Sequence, residues 1–66
     1  MNLTINGETR DVAGGHTVLT LLEELGLKPE ATVVERNAAI VDRERYGDTR
    51  IEENDRLELV RFVGGG

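Results

Sequence analysis

One stretch of this chain carries the pattern of an amphipathic helix, and its brevity limits what the rest can do. Val18, Leu21, Leu22 and Leu25 fall at i, i+3, i+4 and i+7, with Thr20, Glu23 and Glu24 on the opposite side. Thr17 is placed to accept from a free amide of the first turn. Gly26 offers a left-handed position after the last turn, Leu27 can fold back on it, and Pro29 bars continuation. A helix of about two turns is not stable alone in water, so its leucine face must be buried against the other elements.

Those other elements read as strands. Leu3 and Ile5 alternate with Asn2 and Thr4, and Asn6-Gly7 is the residue pair a type I′ turn favours, because both positions need positive φ. Residues 8–12 then return as the partner strand. Residues 31–37 form a strand with β-branched residues at its centre, and residues 38–41 a shorter one. The segment 42–50 reads as a helical turn and loop anchored by Tyr46. Ile51 is a candidate for a very short strand, residues 52–55 for a turn, and residues 56–63 for the last and longest strand. One helix packed on one sheet is the simplest way to bury both apolar faces. A chain of 66 residues makes one domain with a limited core.

Composition excludes more chemistry than it suggests. With no cysteine there are no disulfides, thiolate metal sites or cysteine nucleophiles, and the chain fits a reducing, cytoplasmic setting. No apolar run has the length of a signal peptide or membrane span, so neither is expected. Eight basic against thirteen acidic residues, a net charge of −5, argue against a nucleic-acid partner. Gly14-Gly15 is a pair and not a nucleotide-binding fingerprint. His16 is the sole histidine and reads as a solvated loop residue. Glu23-Glu24 and the Glu52, Glu53 and Asp55 group read as solvated surface charge, without the oxygen-ligand spacing of a calcium loop. With no nucleophile, base or metal site in view, the chain is expected to be a substrate of other proteins and not an enzyme.

The C-terminal strand and the glycines after it give that expectation a direction. If Leu57 and Leu59 face the core, Glu58, Val60 and Phe62 face outward, leaving Val60 and Phe62 as an exposed apolar pair. The alternative is a bulge that turns Phe62 inward. Gly64, Gly65 and Gly66 span at most about 10 Å and carry no side chains, so they suit a narrow channel. A carboxylate is a poor electrophile, but joined to AMP it becomes a mixed anhydride open to a sulfur donor or an amine. On composition alone, a reactive arm, a frayed end and a residual linker are all open readings of these glycines.

The segments NLTINGE, GHTVLTLLEEL, VVERNAAIVDR and ENDRLELVRFVGGG, taken in order, resemble the ThiS family, the sulfur carrier proteins of thiamin (thiazole) biosynthesis. The resemblance implies an α+β, ubiquitin-like β-grasp fold: a mixed four- to five-stranded sheet packed on one main helix. It divides the chain into a domain over residues 1–63 and a flexible glycine tail over 64–66. It also implies that a ThiF-type adenylating enzyme activates the Gly66 carboxylate with MgATP, no cofactor being bound by the carrier itself. A cysteine desulfurase persulfide would supply sulfur, and a ThiG-type thiazole synthase would consume the resulting thiocarboxylate. Gly66 is then the sulfur acceptor and Gly65 with Gly64 the arm; the expected partner-binding face of Val60 and Phe62, with Val63, comes instead from the alternation along the last strand. The rival readings are a MoaD-like sulfur carrier serving molybdopterin synthase or another pathway, and a ubiquitin-like protein modifier, which would share the adenylate. Where the family commonly has Asn-Gly this chain has Asn37-Ala38, which weakens the expectation of a type I′ turn there, and Asp42 stands where proline is frequent.

Overall fold

The computed structural model describes residues 1–62; expectations placed on Val63 and on Gly64 to Gly66 lie outside the described residues. The chain opens with β1 (Asn2–Ile5) and β2 (Glu8–Asp11), paired antiparallel with Leu3 opposite Arg10 and Ile5 opposite Glu8. Asn6 and Gly7 have φ of 51° and 83°, the two left-handed positions that a type I′ turn requires.

Helix α1 (Val18–Glu24) begins with a reciprocal cap. The Thr17 hydroxyl accepts from the Thr20 amide at 3.2 Å, and the Thr20 hydroxyl accepts from the Thr17 amide at 2.9 Å. It ends in the paired bonds of a Schellman motif, Leu27 N–H to the Leu22 carbonyl at 2.9 Å and Gly26 N–H to that of Glu23 at 3.1 Å. Gly26, at φ 76°, makes this possible. A 3-10 turn (Pro29–Ala31) leads into β3 (Thr32–Arg36), which folds back as the short β4 (Ala39–Ile40). A second 3-10 turn (Arg43–Arg45) precedes β5 (Arg56–Arg61).

The five strands lie in the order β2-β1-β5-β3-β4, so the last strand occupies the middle of the sheet. It runs parallel to β1, with Ile5 opposite Leu57, and antiparallel to β3, with Thr32 opposite Arg61 through Arg36 opposite Leu57. Residues 50–51 do not join the sheet; Arg50 makes an antiparallel bridge to Thr17, and Ile51 N–H donates to the His16 carbonyl at 2.9 Å.

Leu3, Ile5, Val18, Leu21, Leu22, Val34, Tyr46, Ile51 and Leu57 form the core between helix and sheet, with Leu25 and Leu59 half-buried at its margin. Tyr46 is the anchor of its loop: its buried hydroxyl donates to the Thr32 carbonyl at 2.7 Å. Thr32, wholly buried, donates its own hydroxyl proton to the Lys28 carbonyl at 2.8 Å.

Besides the short strand expected at Ile51, three expectations need correcting. The β3–β4 turn is a two-residue left-handed turn despite its alanine, with Asn37 at φ 51° and Ala38 at φ 73°. The Asn37 side chain holds it in place, accepting from Arg56 N–H at 2.9 Å and donating to Asp55 Oδ1 at 3.0 Å. His16 is not a solvated loop residue. Its side chain is only 13% exposed, with Nδ1 2.9 Å from the Thr20 hydroxyl and Nε2 3.5 Å from Glu24 Oε2. Asp55, unlike the exposed Glu52 and Glu53, is buried, because it closes the turn before β5 by accepting from the Glu52 amide at 2.8 Å.

Candidate functional site

Strand β5 precedes the glycines in the sequence, and its alternation sets which side chains it exposes. Leu57 and Leu59 face the helix, while Glu58 and Val60 face away from it. Val60 is 57% exposed and Phe62 58% exposed, so no inward bulge covers Phe62. Its backbone still continues the ladder beyond the strand, with Phe62 N–H donating to the Ala31 carbonyl at 2.8 Å.

The start of β5 is fixed by a charged cluster. Arg36 Nε donates to Asp55 Oδ2 at 2.7 Å, and Asn37 and the Glu52 amide donate to the same carboxylate. Burial of Asp55 opposes its ionisation. The hydrogen bonds from Arg36, Glu52 and Asn37, with the Arg36 charge, outweigh burial and hold the carboxyl below its usual range. The far end is fixed from the other neighbour: Asn6 accepts from Leu59 N–H at 2.8 Å and donates to the Leu59 carbonyl at 3.2 Å. Both turn asparagines therefore grip the strand that leads to the glycines.

On the helix side of this end, two shallow depressions of about 350 and 300 Å³ meet at Arg61. Leu27 lines both, Lys28 and Phe62 line the first, and Arg10 lines the second. Arg10, Lys28 and Arg61 make no ion pair among the described residues. Val60 and Phe62 are thus where the alternation placed them, whereas Val63, Gly64, Gly65 and Gly66 lie outside the described residues. Sequence reasoning missed Ile40, at 68% the most exposed large apolar side chain described. A strand of two residues has no periodicity from which its outward side could be read.

A mixed five-stranded sheet on one helix, with its C-terminal strand central and parallel to its first, is a β-grasp fold of the ubiquitin-like kind. The crystal structure of the thiamine biosynthesis protein ThiS from Geobacter metallireducens superposes with a TM-score of 0.85 at 36% identity, over the full length of both chains. The chain belongs to the ThiS family, whose model matches residues 3–66. It is 40% identical over 50 residues to the sulfur carrier protein ThiS of Bacillus subtilis, covering 76% of each chain. Against the Escherichia coli ThiS it is 29% identical over the whole of both. It is also 44% identical, over all its 66 residues, to part of a thiazole synthase from Magnetococcus marinus, and spans only 20% of that protein's length.

Proposed function

We propose that this chain is a sulfur carrier in thiamin biosynthesis, with the α-carboxylate of Gly66 as the site of loading. The observation that carries the proposal is the family match, which runs through Gly64 to Gly66, on a domain whose central strand precedes them in the sequence. With no cysteine in the chain, a carried sulfur atom has no thiol side chain to occupy.

A ThiF-type enzyme would join the Gly66 carboxylate to the AMP of MgATP, releasing pyrophosphate. A persulfide charged by a cysteine desulfurase would attack the carbonyl carbon and expel AMP, forming an acyl disulfide. A second thiol would cleave its S–S bond, leaving the thiocarboxylate on the carrier and a disulfide on the donor. A ThiG-type thiazole synthase would then take the sulfur and return the carboxylate. The match of this whole chain to a segment of a protein named thiazole synthase supports a partner of that kind.

Ordering the three glycines in a partner's channel costs roughly 3–6 kcal/mol, so contacts elsewhere must compensate. Val60 and Phe62, exposed immediately before the arm, are placed to supply them.

Intact mass spectrometry tests the loading step. After incubation with ATP, a ThiF-type enzyme and a sulfur source, the chain should gain the mass difference of sulfur for oxygen. A thiol-alkylating reagent should then tag the Gly66 terminus alone. An unchanged mass, with an enzyme active on its own carrier, would refute the reading. Lysine-linked conjugates would reassign the chain as a protein modifier.

A further inference from the structure

The sheet face turned away from the helix carries a charge arrangement that the fold does not need. Val33 stands opposite Val60, and Glu35 stands between Ile40 on one side and Glu58 on the other. Residues directly opposite in an antiparallel pair share a face, so Glu35 and Glu58 are neighbours among Val33, Val60 and Ile40. Two like charges in that position repel and weaken the strand pair. Neither makes an ion pair or a side-chain hydrogen bond among the described residues. Arg56 lies two residues before Glu58 on the same face and pairs with neither.

We propose that this apolar face docks the adenylating partner through one basic side chain, an arginine or lysine set among apolar groups, whose charge lands between Glu35 and Glu58. Ile40 and Val60, each more than half exposed, form the surrounding apolar contact. The inference rests on the carrier reading, since the partner that receives the glycines must cover the face beside them. Charge complementarity selects this occupant. A second copy docked about a two-fold axis would set one acidic pair against another, and an anionic membrane or nucleic acid would be repelled. A cation enclosed by the two carboxylates and the apolar rim is screened from salt far less than an exposed pair.

Steady-state adenylation with a ThiF-type enzyme, read as pyrophosphate release, tests the assignment on the full chain and its Glu35→Gln and Glu58→Gln variants. The expected result is a KM raised at least about tenfold in each, with kcat near wild type, because the pair docks and does not react. Removing the repulsion should leave Tm unchanged or raise it by about 2–4 °C. A merely structural role could not give that opposition of effects. A KM within about twofold of wild type in both variants would overturn the proposal, as would a KM rise accompanied by a fall in Tm. If the wild-type chain itself is not adenylated, the carrier reading fails and this inference falls with it. A processed wild type with unaffected variants sinks the inference alone.

Discussion

The side chain of Asn6 bonds to the backbone of Leu59 in both directions, Oδ1 accepting at 2.8 Å and Nδ2 donating at 3.2 Å. Registered pairing between β1 and β5 stops at Ile5 opposite Leu57, so the amide of Asn6 extends that ladder by acting as a peptide group beyond its end. The same residue sits at φ 51° in the hairpin turn, a conformation asparagine tolerates better than alanine. Asn6→Ala should therefore lower stability by about 2 kcal/mol, and Asn6→Gly, which keeps the turn but loses the bonds, by about 1 kcal/mol. Urea denaturation measures both, and faster amide exchange at Leu59 would locate the damage. Equal losses in the two variants would show that the bonds to Leu59 carry the whole effect.

Ala38 offers the opposite opportunity. At φ 73° it carries a Cβ where glycine would carry none, and Asn37 keeps the turn closed through Arg56 and Asp55. Ala38→Gly should raise stability by about 1 kcal/mol, or about 4–8 °C in Tm. A lower Tm would mean that the greater freedom of glycine in the unfolded chain outweighs the relief.

Asp55 makes part of the stability depend on pH. Folding lowers its pKa, so the ionised carboxylate favours the fold above the ordinary aspartate value, and that contribution is lost as pH falls through the folded value. Asp55→Asn should destabilise by about 2–3 kcal/mol at neutral pH, by leaving Arg36 without its closest partner. The gap between variant and wild type should shrink below about pH 4. Thermal melts across that range check the sign; a gap that widens in acid would contradict it.

The exposed apolar pair separates function from folding. Val60→Ser with Phe62→Ser should change stability by no more than about 0.5 kcal/mol for each site, since both side chains are over half exposed. On the carrier reading, the double variant should lose affinity for the adenylating enzyme with kcat retained. Wild-type KM in a well-folded double variant would remove this face from the interface.

What could be read from the sequence was what short-range chemistry dictates. Asn6-Gly7 turns because its own backbone preferences demand it, and α1 starts and stops on residues within its own first and last turns. The exposure of Val60 and Phe62 follows from alternation along one strand. The errors arise where distant residues decide. Ala38 is driven into a left-handed turn by an asparagine whose partners lie 18 and 19 positions along the chain. Asp55 is acidic in a run of acidic residues, and what sets it apart is the set of bonds it accepts from Arg36, Asn37 and the Glu52 amide, the first two far away in sequence. The confrontation of Glu35 with Glu58 exists only in the register of β3 against β5, which no local pattern encodes.

The placement of β5 between β1 and β3 also governs how the domain bears load and how it is born. A pull on the C-terminal end must shear two ladders at once, where an edge strand would peel away one bond at a time. On the carrier reading, a partner that draws in the glycines would pull on a strand held from both sides. The same placement postpones assembly during synthesis: until residue 61 has left the ribosome, β1 and β3 have no strand between them. The nascent chain has no finished sheet to close early, so only a chain made through its central strand acquires the shape its partners would recognise.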